Sequence, residues 1–509
     1  MYSQIATVAF QGIEAKPVDV QVLVAPGLPS FSIVGLPDKA VAESRERVRA
    51  ALTAIGVGLP PKRITVNLAP ADLPKEGSHY DLPIALGLLS ACQAIPGDIL
   101  LDFCVIGELG LDGSIATVIG ALPAAISAHS RGMGLICPAG CGAEAAWAGE
   151  DVAILAPDHL LGLVSHLRGS SLLTRPIAKT QAPPAHCPDL KDVKGQENAK
   201  RALEIAAAGG HHLLMCGPPG AGKSMLAQRL PSILPPMEPR EILEVAMIHS
   251  MAGLLPKGRL TDRRPFRAPH HSATMAALVG GGARPQPGEI ALAHNGVLFL
   301  DELPEFAPHV IDALRQPLET GETVIARANH HISYPSRIQL VAAMNPCRCG
   351  RAGEPGYSCK QGPRCAERYK GRLSGPLLDR IDLMLDIPAV TAKDLALPAE
   401  GETSATIRAR VTAARMRQSE RLRALGADPY LCNANCPASL IDQIAAPDRD
   451  GEALLTTTAQ RFRLSARGYY RTLRVARTLA DLDGEPNVRY VHVAEALAYR
   501  GECTLQPAA

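Results

Sequence analysis

Apolar positions in the first third of the chain fall in short runs whose period changes repeatedly. FSIVG (31–35) reads as a strand, and from about Lys39 to Ile55 the residues Val41, Val48, Leu52 and Ile55 share one face at helical spacing. ITVNLAP (64–70) alternates apolar and polar positions, and Asp81 to Ala91 has the pattern of a second helix. VIGELGLDGSI then reads as a hairpin, followed by a helix near 117–130 and the strands GLICP and DVAILAP. Strands interspersed with helices predict an α/β or α+β domain over residues 1–175.

Between about 176 and 188 the periodicity fades and prolines accumulate, as in an exposed linker. A second domain over 189–390 opens with a helix from Gln196 to Ala208 and then HHLLMCGPPGAGKSMLAQRL, a buried strand running through a Gly-rich turn into a helix. Residues 391–509 turn helical and Arg-rich, with runs at 405–424 and 465–482, and predict a third, all-helical domain. No internal repeat is evident.

The length of 509 residues suits about three domains. With 47% hydrophobic and 20% charged residues, a wholly disordered or fibrous chain is excluded. Aromatics are only 4%, which argues against base stacking as the main mode of holding single strands and leaves backbone contacts open. The net charge of +2 excludes a uniformly polycationic coat. Residues 1–180 carry 12 basic against 16 acidic side chains, leaving 40 against 34 for the remainder, so a polyanion would meet the second half. No apolar run reaches the roughly 18–20 residues of a membrane span, and the N-terminal stretch lacks a basic flank with an apolar core. The expected location is the cytoplasm. Thirteen dispersed cysteines there are expected to be mostly free thiols.

Gly217, Pro218, Pro219, Gly220, Ala221, Gly222, Lys223 and Ser224 spell a complete phosphate-loop pattern between a strand and a helix. Glycines let successive N–H groups turn toward phosphates, Lys223 reaches the β and γ oxygens, and Ser224 ligates Mg²⁺. Further on, the apolar run GVLFL ends in Asp301 and Glu302. Strand alternation would send these two carboxylates different ways, Asp301 to the Mg²⁺ shell and Glu302 to the attacking water. IQLVAAM (338–344) is a third strand and ends at Asn345, whose amide is suited to orient that water; an Asn before Pro is otherwise a common turn residue.

These motifs resemble an AAA+ ATPase of the helix-2-insert, pre-sensor-1-hairpin branch, and more closely the YifB/ComM family of magnesium-chelatase-like proteins. The resemblance is carried by FSIVGLPDKAVAESRERVRAAL (31–52), VNLAPADLPKEGSHYDLPIALGLL (66–89), DVKGQENAKRALEIAAAGGHHLLMCGPPGAGKS (192–224), FRAPHHSAT (266–274), PGEIALAHNGVLFLDELPEF (287–306), LRQPLETG (314–321) and SGPLLDRIDL (374–383). It implies an N-terminal ribosomal S5 domain 2-like fold, as in the Lon protease domain, a central AAA+ parallel sheet, and a C-terminal helical lid. It implies too a ring, typically a hexamer, with each ATP between neighbours. Arg380 matches the family's arginine finger, and a guanidinium delivered from a neighbour is worth about 10³–10⁵ in rate. A surface pairing of Arg380 with Asp379 or Asp382 is the plainer alternative, and Arg372 competes for the finger role. Arg467 is the choice for sensor 2 within LSARGYYRTLRVARTLADL (464–482), although six arginines without an acid between Arg461 and Arg477 also suit a solvated basic face.

Cys347, Cys349, Cys359 and Cys365 place four thiols within 19 residues of a Gly/Pro-rich stretch. Such a set can close around a structural Zn²⁺, with reduced loop cysteines as the alternative. Its place between Asn345 and Arg380 suggests that it shapes a subunit interface. Cys432, Cys436, Cys137 and Cys141 read as ordinary thiols.

PKGRLTDRRPFRAPHH (256–271) holds Lys257, Arg259, Arg263, Arg264 and Arg267 against one Asp, and GETVIARANHHISYP (321–335) resembles the pre-sensor-1 hairpin, with Arg327 along it. In a ring these stretches would present positive charge to a phosphate backbone, with an ordinary solvated surface as the plainer alternative. The family resemblance implies an ATP-driven DNA motor, a helicase or branch-migration ATPase of recombination or natural transformation. A chelatase-like remodeller of protein complexes is the alternative, and the N-terminal domain is a candidate docking site for a protein partner. Lon-like proteolysis is disfavoured: His79 occupies the nucleophile position, with Ser78 beside it, and the 117–130 helix offers no lysine.

Overall fold

The computed structural model describes residues 1–181, 188–282, 286–327, 330–350, 364–390, 401–428, 432–461 and 463–500. They form two compact units: Met1–Pro183 with Pro239–Thr261 and Pro285–Pro287, and Pro184–Glu238 with Asp262–Arg284 and Gly288–Ala509.

The first unit is built on a seven-stranded mixed sheet in the order Ser30–Val34, Arg63–Ala69, Glu14–Ala25, Tyr2–Gln11, Phe103–Val105, Gly134–Ile136 and Ile154–Leu155. Its centre is a long antiparallel hairpin, Tyr2–Gln11 against Glu14–Ala25, which precedes the first strand expected from the sequence. The signal was present in the alternation of Val18, Val20, Val22 and Val24, all buried on one side of the sheet. Helices Lys39–Ala54 and Asp81–Ala91 form where their patterns predict. Asp38 caps the first by accepting from the Val41 amide at 2.8 Å. The helix expected near 117–130 begins later, at Ala121.

Helix Pro239–Met251 packs within this unit rather than among the other residues of the 189–390 span. Ala246 and Leu260 share a buried cluster with Leu122, and Arg259–Leu260 pairs in parallel with Lys179–Thr180. Glu144, almost fully buried, accepts from the Leu122 amide at 3.0 Å and from the Ser250 hydroxyl. Burial pushes its carboxyl upward, against these two hydrogen bonds. The Ser78 hydroxyl donates to Glu108 and the Lys75 amine to the Pro70 carbonyl, so this serine and lysine are each engaged with other partners. His79 is buried against the Val8 carbonyl, and burial lowers its pKa to about 4.

The second unit holds a five-stranded, wholly parallel sheet in the order Phe266–Arg267, Val297–Leu300, Gln339–Met344, Leu213–Cys216 and Leu383–Asp386. The three central strands are buried throughout, as expected of parallel strands covered on both faces. Glu322–Arg327 and His330–Pro335 form a separate antiparallel pair; the Arg327 side chain lies outside the described residues. Helices Ser404–Ala424 and Ala466–Asp483 pack against Glu197–Gly209. Among the described residues, no helix is long and apolar enough to cross a membrane.

The arginines of helix Ala466–Asp483 are largely turned inward. Arg477 is 1% exposed and donates to the Pro486 and Glu485 carbonyls at 2.7 Å each. Asp481, equally buried, receives Arg421 at 2.7 and 2.9 Å, Arg477 at 3.1 Å and Asn433 at 2.8 Å. A buried carboxylate that answers three donors leaves buried cations uncompensated when it is neutralised. Asp481→Asn should therefore cost about 3–5 kcal/mol, seen as a lower urea midpoint with an unchanged slope.

Candidate nucleotide site

The phosphate loop leaves the sheet where strand Leu213–Cys216 ends, and helix Lys223–Ala227 carries the chain away from it. Gly222 caps that helix with φ of 84°, a left-handed conformation costly for a side-chain-bearing residue. Lys223 is 7% exposed, and its ammonium donates to the Gly217 and Pro218 carbonyls at 2.7 and 2.9 Å and to Asn345 Oδ1 at 3.1 Å. Burial lowers its pKa, partly offset by the carboxylate of Asp301.

Parallel register brings the other groups to the same edge. Cys216 pairs with Met344, which places Asn345 beside the start of the loop, and Leu300 pairs with Ala342. Ser224 Oγ donates to Asp301 Oδ2 at 2.5 Å. A hydroxyl and a carboxylate in contact form a hard-oxygen donor set that fits Mg²⁺.

The two adjacent carboxylates do diverge, but by a different device from strand alternation. The strand stops at Leu300, and Glu302 adopts a left-handed conformation with φ of 51°. A non-glycine residue held there is strained, which is a feature of functional turns. Asp301 Oδ1 accepts the Glu302 amide at 2.9 Å, which fixes that turn. Glu302 is thereby directed to His271, with Nδ1 3.4 Å from Oε2, and remains about half exposed. His271 lies in FRAPHHSAT, about thirty residues before Glu302, and no local spacing along the chain points from one to the other.

Of the basic residues at 256–271, Arg267 forms a two-pronged pair with Glu289 at 2.6 and 2.7 Å, and Arg264 donates to the Pro235 and Asn295 carbonyls. These two are used internally rather than offered to a polyanion. Lys257, Arg259 and Arg263 are exposed.

Arg380 and Arg467 meet at a different place. Arg380, 8% exposed, donates to the Pro376 carbonyl at 2.7 Å and pairs with Glu319, and Arg467 approaches the other oxygen of Glu319 at 3.3 Å. The surface pairing considered for Arg380 is absent from the described contacts. Asp379 accepts from Ser465, and Asp382 accepts the His212 amide at 3.0 Å with His211 and Arg471 close by. Burial alone would raise the Asp382 carboxyl, but His211 and Arg471 outweigh it and hold the group well below the usual carboxylate range. Arg372 pairs with Glu305 at 3.2 Å. A cavity of about 480 Å³ surrounds Arg380 and Arg467, and its lining includes none of the phosphate loop, Asp301, Glu302 or Asn345.

Cys347, Cys349 and Cys365 bring their sulfur atoms within 4.8 Å of one another, with Cys347 and Cys349 at 2.8 Å. Thiolates around a tetrahedral Zn²⁺ stand about 3.8 Å apart, so Cys347 and Cys349 would separate by about 1 Å to hold that ion. Cys359 lies outside the described residues. The next residue after Cys349 is Gly350, where a Cβ would come within 2.7 Å of Pro219, so the cysteine turn rests on the phosphate loop. Cys137, Cys141, Cys432 and Cys436 are free thiols, and burial pushes Cys141 up to about 11.

Three family models cover most of the chain: magnesium chelatase, subunit ChlI, at residues 189–395; subunit ChlI of Mg-chelatase at 20–140; and the subunit ChlI C-terminal region at 401–500. The uncharacterized protein YifB of Salmonella typhimurium is 44% identical over 495 residues, 97% of this chain and 96% of the relative. Competence protein ComM of Haemophilus influenzae is 44% identical over 498 residues, again 97% and 96%. The magnesium-chelatase 38 kDa subunit of Rhodobacter capsulatus is 29% identical over 171 residues, 30% of this chain and 49% of that one. With near-complete coverage by such relatives and an AAA+-type parallel sheet that gathers Lys223, Ser224, Asp301 and Asn345, the chain belongs to the YifB/ComM family of magnesium-chelatase-like proteins.

Proposed function

We propose that the protein is an ATP-hydrolysing ring motor that acts on DNA, with each active site shared between two copies of the chain. Family membership implies use of ATP and Mg²⁺. Lys223 and the loop amides would hold the phosphates, and Ser224 and Asp301 the Mg²⁺, which neutralises charge on the phosphate oxygens. Glu302 polarises the attacking water, and Asn345, already hydrogen-bonded to Lys223, orients it.

The observation that carries the shared site is the separation of the machinery into two groups. Phosphate-holding residues sit at one edge of the sheet, while the Arg380 and Arg467 guanidiniums gather around a cavity that contains none of them. In a single copy the two groups have no common pocket among the described residues. A neighbour in a closed ring, of which a hexamer is the expected form, supplies the missing half. Arg380 then serves as the finger and Arg467 as sensor 2.

The DNA reading is supported by the full-length likeness to a competence protein and by exposed Lys257, Arg259 and Arg263, which repetition around a ring would multiply. Helicase or branch-migration activity in the cytoplasm follows from it. In this reading the first unit is the S5 domain 2-like module, with room for a protein partner, and the helices after residue 401 are the lid. Cys347, Cys349 and Cys365 hold a structural Zn²⁺ together with Cys359.

Lys223→Ala should abolish nucleotide binding, whereas Glu302→Gln should bind ATP and reduce turnover by at least about 100-fold, with the protein trapped as an assembled oligomer. Arg380→Ala should be inactive alone yet recover part of its turnover when mixed with Glu302→Gln, because the mixture rebuilds intact shared sites; a mixture without activity rejects the shared site. ATPase assays with no DNA, single-stranded DNA and forked DNA should show stimulation and strand separation. Stimulation by a protein alone would favour the remodelling role instead. Metal analysis should find about one Zn²⁺ per chain, and Cys347→Ser with Cys365→Ser should lose it; native protein without zinc rejects the clip.

A further inference from the structure

The cavity around Arg380 is lined by Arg337, Arg380, Arg467, Arg471 and Arg474 against only two carboxylates, Glu319 and Asp382. Asp382, 3% exposed, is committed to the His212 amide and lies 3.7 Å from Arg471. Glu319 is different: it is about half exposed, and each of its oxygens meets a different arginine. Arg380 comes from the segment that leads into strand Leu383–Asp386, and Arg467 from the first turn of helix Ala466–Asp483. Two like charges from separate parts of the chain repel each other, so a shared carboxylate is what makes their close approach favourable. The Arg380 hydrogen bond holds the Glu319 carboxyl below the usual carboxylate range, so it is ionised at neutral pH.

We propose that Glu319 is a positioning residue that holds Arg380 and Arg467 together as a pair, ready for the polyphosphate of ATP on a second copy of the chain. The proposal rests on the shared-site reading. It adds a group that never needs to touch the nucleotide. When the neighbour's phosphate arrives, it meets two guanidiniums already side by side instead of two that must be collected from separate segments, and this ordering is the larger part of what a preorganised site contributes. Arg467 is exposed and long, so without Glu319 it has most to lose in rotamer freedom. Glu319 also lies three residues before strand Glu322–Arg327, so the same carboxylate connects the arginine pair to the base of the hairpin.

The test uses full-length Glu319→Ala and the isosteric Glu319→Gln, each with its thermal unfolding midpoint measured against the parent. Both should lower kcat by about 10- to 100-fold with KM for ATP little changed, and Glu319→Asp should recover part of the loss. Mixed with Glu302→Gln, Glu319→Ala should regain turnover, since its own phosphate loop is intact and the neighbour supplies a correctly held pair. Mixed with Arg380→Ala it should regain none, because both lack the same half. Parental kcat in Glu319→Gln, or a Glu319→Ala mixture that stays inactive where Arg380→Ala with Glu302→Gln recovers, overturns the proposal. If the Arg380→Ala control also stays inactive, the shared site itself has failed, and the role of Glu319 falls with it.

Discussion

The nucleotide site depends on the parallel register between strands Leu213–Cys216, Gln339–Met344 and Val297–Leu300. Parallel strands end at one edge, so three distant stretches of sequence deliver their next residues to the same place. Lys223, Asn345 and Asp301 are neighbours for this reason, although more than 120 residues separate the first two along the chain. The strands are fully buried, and their apolar side chains resist a shift of register that would scatter the polar groups beyond their ends. The gathering of these polar groups is a by-product of core packing.

What could be read from the sequence is what depends on local order. The phosphate loop needs its glycines and lysine at fixed spacing because one turn of backbone must do the work, and that spacing is visible in a string of letters. The helices Lys39–Ala54, Asp81–Ala91 and Ser404–Ala424 are likewise set by patterns within one element. Glu302 shows where such reading stops. Its direction comes from a left-handed turn stabilised by the preceding carboxylate, and no alternation rule contains that. Glu319 was harder still, since its meaning lies in two arginines, 61 and 148 positions downstream, that reach it only in the folded chain. The motif LRQPLETG carried the residue without indicating its task.

Arginine content was the most ambiguous signal. A run rich in arginine and free of acids suits a solvated face, a nucleic-acid surface or a buried network equally well by composition. The fold divides the run instead: Arg477 is enclosed with Asp481, while Arg467 is exposed and lines the cavity beside Glu319. Burial of a guanidinium is tolerable only where fixed acceptors answer most of its donors, and the carbonyls of Glu485 and Pro486 supply these for Arg477. Acceptors offered by main-chain carbonyls leave no mark in composition, which is why the division was invisible beforehand.

The first unit is discontinuous, and this bears on biosynthesis. Its apolar cluster of Leu122, Ala246 and Leu260 cannot close until the ribosome has released residues that follow the phosphate loop. A nascent chain ending near residue 183 would display Leu122 and the neighbouring Ile126 to water, and such surfaces recruit chaperones or stick to one another. The N-terminal module is therefore a poor candidate for independent expression by simple truncation. Its maturation waits for translation of residues 239–261, well beyond the end of its first segment.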